Sequence, residues 1–93
     1  MMTLETFKEE VLTLAEDVGV KPREIHIQSM KRKWASCSNR GRLTFDKKLL
    51  EESKEVRFKV ILHELLHLKY HNHGKMFKLL LDTYLKNELN RNY

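Results

Sequence analysis

The chain has 93 residues, of which 41% are hydrophobic and 33% are charged, with a formal net charge of +5. This composition is typical of a folded domain rather than a disordered chain, and the length leaves room for one core only. We therefore expect a single domain over residues 1–93. The one cysteine, Cys37, excludes an internal disulfide and fits a reducing compartment.

The sequence shows no targeting or membrane-spanning pattern. Charged side chains at Glu5, Lys8 and Glu9 interrupt any apolar run near the N-terminus, so no signal peptide is predicted. The longest apolar stretch, around residues 60–68, is broken by His63, Glu64 and His67 and is too short to cross a bilayer. We expect a cytoplasmic protein without a membrane partner.

The first predicted element is an amphipathic helix over residues 3–18. Apolar residues recur there every three or four positions, Thr3 is placed to cap its start, and Gly19 is placed to end it. Residues 25–28 then alternate as a half-buried strand does. His26 falls on the polar side of that strand, so it is interpreted as a surface residue rather than a ligand.

A hairpin and two helices follow. Strands are predicted at residues 33–37 and 42–45, joined by a turn at Asn39-Arg40-Gly41. A short connection that buries Leu49 leads to a second helix, for which Ser53 is a plausible cap. A last helix is predicted from about Gly74 to Leu89, and its buried stripe of Phe77, Leu80, Leu81 and Tyr84 is an ordinary core pattern.

The second helix carries the motif H-E-L-L-H at residues 63–67. On a helix, residues four apart lie one turn apart on one face, so the imidazoles of His63 and His67 can bind one metal ion. Glu64 lies about 100° further round, where it can reach a water on the metal without binding the ion. The alternative is a coincidence in a chain with five histidines. The amphipathic context and a third histidine favour the metal site.

His73 is the favoured third ligand. A straight helix cannot bring it to His63, because ten residues rise by roughly 15 Å. The motif helix must therefore end near residues 70–72 and turn back, and Asn72 and Gly74 are residue types that allow this. The alternatives for the third ligand are His71 and two carboxylates on the last helix, Asp82 and Glu88.

A basic segment spans residues 31–48, with seven Lys or Arg side chains against one acid, Asp46. Such a segment can meet nucleic acid or an acidic substrate, but a solvated hairpin surface is the commoner explanation. Nucleic acid is therefore a possible partner that we do not favour. A peptide or protein substrate is the partner we expect.

Four segments in order resemble the YgjP-like family of small predicted zinc metallopeptidases, a branch of the zincins. They are K-W-A-S-C-S at 33–38, G-R-L-T-F-D at 41–46, F-K-V-I-L-H-E-L-L-H-L at 58–68 and N-H-G-K-M-F-K at 72–78. The resemblance covers roughly residues 31–80. Together with the elements predicted above, it gives an expected α+β, zincin-like domain with an N-terminal helix, a small three-stranded, mainly antiparallel sheet, an active-site helix and a C-terminal helix. It also implies one zinc ion per chain bound by His63, His67 and His73.

The resemblance further implies that Glu64 is the catalytic acid/base of a zinc metallopeptidase, a metal-dependent hydrolase. Zincins commonly hold substrate as an added strand on a sheet edge, and either hairpin strand is a candidate here. The H-G-x-x-F ending is also similar to that of SprT-like zincins, some of which cleave proteins crosslinked to DNA. Two alternatives follow: a DNA-associated SprT-like protease, and a non-catalytic zinc-stabilised binding module in which Glu64 is dispensable.

Overall fold

The computed structural model describes residues 2–90, which form helices packed on a small sheet. The helices are α1 (Leu4–Val18), α2 (Lys54–His67) and α3 (Lys75–Leu89), the strands are β1 (Glu24–Gln28), β2 (Ala35–Cys37) and β3 (Arg42–Asp46), and a short 3₁₀ helix covers Lys47–Glu51. The predicted α+β class and element order are confirmed. No helix among residues 2–90 is long and apolar enough to cross a membrane.

Both ends of α1 are set by capping interactions of nearby residues. The Thr3 hydroxyl accepts a hydrogen bond from the Thr6 N–H at 3.1 Å, which satisfies a donor that the first turn leaves free. Gly19 ends the helix at φ +85°, a conformation that other residues rarely adopt, and its N–H donates to the Ala15 carbonyl at 2.8 Å. The predicted helix is therefore confirmed to within one residue.

The sheet is mixed. β3 lies between the other two strands, pairing parallel with β1 and antiparallel with β2. Because β3 is flanked on both sides, four of its five residues are buried, including Thr44 on the face that the alternation predicted to be polar. In the part of the chain that the structure describes, β1 and β2 are the edge strands, so β3 cannot accept an added strand.

The free edge of β2 is defined by its register. The Asp46 N–H donates to the Trp34 carbonyl at 2.8 Å, and the Ser38 N–H donates to the Arg42 carbonyl at 2.9 Å. In an antiparallel pair the bonded residues alternate, so the backbone groups of Ala35 and Cys37 point away from β3. Along the outer edge, the N–H and C=O groups of these two residues have no backbone partner among residues 2–90.

The core lies between the sheet and the helices. Phe7 of α1 meets Phe45 of β3 edge to face, with ring centroids 5.3 Å apart. The apolar face of α2 is buried, whereas Leu68, which lies beyond the helix end, is only half-buried. The buried apolar residues are Phe7, Val11, Leu14, Ala15, Val18, Leu43, Phe45, Leu49, Phe58, Ile61, Leu62, Leu65, Leu66 and Phe77.

A largely buried ion pair ties α2 to α1. The Arg57 guanidinium donates to both carboxylate oxygens of Glu10, at 2.9 and 3.2 Å, and also to the Glu52 carbonyl at 2.8 Å. Both charged side chains are only 14% exposed. Because a two-pronged contact of this kind restricts rotation as well as distance, it helps to set the orientation of the helix that carries the motif.

Candidate metal centre

His63 and His67 occupy the last turn of α2, one turn apart on the same face. The helix starts where the Ser53 hydroxyl accepts from the Val56 N–H at 3.3 Å, and His67 is its last residue. The buried residues of α2 point to the core. Both histidines are only half-buried, so their rings stand at the boundary between the core and solvent.

The chain reverses direction between α2 and α3. Helix α2 ends at His67, three residues before the predicted range of 70–72. One helix-like hydrogen bond continues beyond that end, from the Tyr70 N–H to the Leu66 carbonyl at 2.8 Å. Neither Asn72 nor Gly74 uses a left-handed conformation, since the positive φ angles among residues 2–90 belong to Gly19 and Gly41. The reversal is therefore spread over several ordinary backbone conformations, and Gly74 serves in extended backbone as the cap of α3.

The reversal brings His73 onto the histidine pair. The Nε2 atoms of His63 and His67 are 3.2 Å apart, and the His73 Nε2 lies 3.2 Å from the first and 2.8 Å from the second. The three nitrogens form a small triangle. Among the described residues, this is the cluster of His, Cys, Asp or Glu side chains that could hold a metal ion.

The triangle fits a tetrahedral ion. With Zn–N bonds of about 2.0–2.1 Å, nitrogen ligands of one zinc ion stand roughly 3.3 Å apart, close to the observed separations. The His67 ring also hydrogen bonds to the backbone of Tyr70, and the bond raises the pKa of that ring, so the ring is the donor. Such a bond holds the other ring nitrogen free for a metal.

The alternative third ligands lie elsewhere. His71 is exposed and does not join the triangle. Asp82 pairs with Lys86 on the surface of α3, with oxygen and nitrogen 3.1 Å apart. Glu88 is buried in the last turn of α3, where it lines a pocket together with Thr6 and Phe58. Neither carboxylate lies within reach of the two helix histidines among residues 2–90.

Burial and mutual repulsion favour the neutral forms of the His63 and His67 imidazoles, because both lower the pKa of these rings. Burial lowers the pKa of His63, and the neighbouring charges of His67 and His73 lower it further. Burial also lowers the pKa of His67, and His73 adds to the effect. A neutral imidazole is the form that binds a metal, so a lowered pKa reduces the competition between protons and an ion at these two rings.

Phe77 is a part of this centre that the sequence did not reveal. Its ring is 2% exposed and lies 4.7–5.3 Å from the centroids of all three imidazoles. The predicted stripe on α3 treated it as ordinary core, because a buried aromatic at helical spacing carries no signal of a site. The Phe77 ring packs against all three imidazoles and helps to orient them.

Phe77→Leu is expected to weaken metal binding about tenfold, because the smaller side chain leaves the imidazoles free to rotate. Phe58→Leu is the matched control, since Phe58 is also buried but, among the described residues, makes no ring contact with the histidines. Both substitutions should lower stability by a similar amount, and only the first should change zinc affinity measured by competition with a chromogenic chelator. Equal affinities in the two variants would contradict an orienting role.

A metal ion held by the three histidines would join α2 to the segment that begins α3, so its removal should destabilise the protein. Zinc at 100 times its Kd would contribute about 2.7 kcal/mol. For a chain of this size that corresponds to roughly 10–20 °C in Tm. Thermal unfolding followed by circular dichroism, with and without a chelator, checks this. A Tm that does not change on chelation would show that the ion is not part of the fold.

Glu64 faces a cleft beside the histidines. The cleft has a volume of about 390 Å³ and runs between α2 and β2, where Lys33, Cys37 and Ser38 line it together with Glu64 and His67. Burial raises the pKa of the Glu64 carboxyl to about 7, and the positive charge of Lys33 opposes the shift. Burial and the charge of Glu64 also raise the pKa of the Cys37 thiol, which keeps it protonated.

The sequence placed Lys33 in the basic segment and at the start of a predicted strand, and it did not indicate the proximity of Lys33 to Glu64. That proximity comes from the packing of β2 against α2.

A sequence profile described as YgjP-like, metallopeptidase domain, matches residues 2–92. The crystal structure of the metallopeptidase zymogen of Pyrococcus abyssi abylysin has a similar fold, with a TM-score of 0.68 and 24% identity over 87% of this chain and 90% of that chain. Comparison with curated proteins finds no match. The resemblance seen in the sequence is thus confirmed, and the chain belongs to the YgjP-like metallopeptidase family.

Proposed function

We propose that the protein is a zinc-dependent metallopeptidase in which Glu64 is the general base. The observation that carries the proposal is the triangle of Nε2 atoms from His63, His67 and His73, with a half-buried carboxylate in the adjoining cleft. Three nitrogen ligands with space beside them are typical of catalytic zinc, whereas structural sites close all four positions. This argues against the binding-module alternative.

Zinc, when bound, would supply Lewis-acid activation of water and of the scissile carbonyl. Glu64 accepts the proton of the attacking water at its carboxylate and then donates that proton to the leaving amine. A carboxyl with a pKa near 7 is suited to both steps. Its carboxylate is basic enough to accept a proton from water, and the resulting acid is strong enough to donate that proton to the amine. A cation at the histidines would favour the ionised form and so provide the base at neutral pH.

β2 is the strand that we propose holds the substrate. It is an edge strand, it borders the cleft that contains Glu64, and Ala35 and Cys37 present unpaired backbone groups there. A peptide added along this edge gains main-chain hydrogen bonds without regard to its side chains. Its scissile bond would then lie between β2 and the histidines of α2.

The direct test is incubation of the zinc-loaded protein with a mixed peptide library, with the products identified by mass spectrometry. We expect cleavage that stops when a chelator removes the metal and returns when zinc is restored. A protein that binds one zinc ion per chain but leaves the whole library intact would favour the binding-module alternative.

A further inference from the structure

A second groove adjoins the catalytic cleft. We call it the basic groove; it has a volume of about 680 Å³ and is lined by Arg23, Glu24, Ser38, Asn39, Arg40 and Arg42. Ser38 and Asn39 also line the catalytic cleft. The two depressions therefore meet at the turn that joins β2 to β3.

The basic groove carries more positive than negative charge. Arg42 pairs with Glu24, with Nε and Oε2 2.9 Å apart, and this contact holds the pKa of the Glu24 carboxyl below its usual value. Arg23 and Arg40 are exposed and make no ion pair with any of the described residues 2–90. Two guanidinium groups are thus left to attract a negatively charged ligand.

The turn beneath these arginines is tightly held. The Ser38 hydroxyl accepts from the N–H groups of Arg40 and Arg42, at 3.3 and 3.1 Å. Gly41 adopts φ +87°, and its carbonyl accepts from the Arg23 N–H at 2.9 Å. A Cβ at Gly41 would lie 3.2 Å from the Arg23 Cγ, so the glycine allows β1 and the turn to approach closely. The backbone that carries Arg23 and Arg40 is therefore held in one conformation before any ligand binds.

A peptide on the edge of β2 would reach this groove directly. An extended chain advances about 3.3 Å per residue, and the turn starts one residue after Cys37. Two or three further residues of a bound peptide would then lie over Asn39 and Arg40. The groove thus lies at substrate positions a few residues to one side of the scissile bond.

The features of the groove fit a polypeptide better than a nucleic acid. None of its six lining residues is aromatic, so no platform is present on which bases could stack. The Glu24 carboxylate, which neutralises one of the three guanidinium groups, would repel a row of phosphates. Lys47 and Lys48, the other end of the basic segment, lie beyond β3, roughly 15 Å away along the strand.

We propose that the basic groove is a subsite that selects substrates with an acidic segment beside the scissile bond. The inference rests on the peptidase function proposed above and names a substrate class for that site. It assigns Arg23 and Arg40 as specificity-determining residues, whose guanidinium groups bind Asp or Glu side chains through charge-assisted hydrogen bonds.

A binding experiment tests the groove without depending on catalysis. Fluorescein-labelled 12-residue peptides with a block of four Glu residues in the N-terminal or the C-terminal half are titrated by anisotropy against zinc-loaded Glu64→Gln protein, which leaves them intact. Peptides with Gln in place of Glu provide the reference. We expect one of the two Glu peptides to bind about tenfold more tightly than its Gln counterpart, and the difference to shrink as salt is added.

The test variant is Arg23→Gln/Arg40→Gln, which keeps part of each aliphatic stem against the turn. It should bind the preferred Glu peptide no better than the Gln peptide. The matched control, Lys47→Gln/Lys48→Gln, removes the same charge from the far end of β3 and should change binding less than twofold. Circular dichroism and zinc content confirm that both variants are folded.

Several results would overturn the inference. These are equal binding of Glu and Gln peptides, equal losses in the arginine and lysine variants, or displacement of the Glu peptide by a mixed-sequence DNA oligonucleotide at lower concentration than unlabelled Glu peptide. The wild-type protein separates this inference from the proposed function. Cleavage with no effect of the Glu block on KM would overturn the subsite alone, whereas arginine-dependent binding without any cleavage would uphold the acidic-peptide site and overturn the peptidase.

Discussion

Glu64→Gln is expected to abolish peptide hydrolysis while leaving the fold and the zinc content intact. The amide has nearly the shape of the carboxylate but cannot accept the proton of the attacking water. Loss of a general base typically lowers the rate by roughly 10²- to 10⁴-fold. Because Glu64 is not one of the three clustered nitrogen donors, metal binding should not change. The effect should therefore fall on kcat rather than on zinc affinity.

Wild type and variant should be assayed in parallel against the same peptide library, with zinc measured in both preparations. Glu55→Gln is the matched control, because Glu55 lies on α2 but is exposed in its first turn, away from the cleft. It should retain activity close to that of the wild type. Equal residual cleavage by wild type and Glu64→Gln would indicate a contaminating protease and would remove Glu64 from the mechanism.

His73→Ala is expected to lose most of the bound zinc, whereas His71→Ala should keep it. The two side chains are separated by one residue, yet only the His73 Nε2 lies within 3.2 Å of both helix histidines. Loss of one of three nitrogen ligands leaves an incomplete site, while loss of the exposed His71 removes only a neighbouring polar group. The pair thus distinguishes a ligand from a nearby histidine.

Zinc per chain, measured by atomic emission after dialysis against a weak chelator, checks this expectation. His63→Ala provides the positive control, since it removes a ligand from the rigid end of α2. Full zinc content in both His71→Ala and His73→Ala would mean that the third ligand comes from another residue. Loss of zinc from His71→Ala alone would reverse the assignment.

Much of the site could be predicted because the residues that define it lie close together in the sequence. The spacing of His63 and His67 places them on one face of any helix, and the apolar residues between them show which face is buried. The ends of α1 follow from the side chain of Thr3 and the missing side chain of Gly19. Such features depend on residues within a turn of one another, so the sequence is enough to predict them.

The arrangement of the strands was decided by the tertiary structure. The hydrophobic alternation in β3 is compatible with pairing to β2 alone or to two neighbours, because both bury Leu43 and Phe45. Insertion of β3 between β1 and β2 makes one pairing parallel and leaves β2 as the edge beside the cleft. The choice of a substrate-binding strand follows from that order, which no local pattern contains.

By itself the sequence determined the helices, the histidine pair of α2 and the position of Glu64 beside it. Only the tertiary structure brought His73 to the pair, placed Phe77 under the three imidazoles and set Lys33 next to Glu64. The physical reason is distance along the chain. Helix periodicity fixes the directions of neighbouring side chains, whereas the meeting of separate segments depends on how their apolar faces pack together.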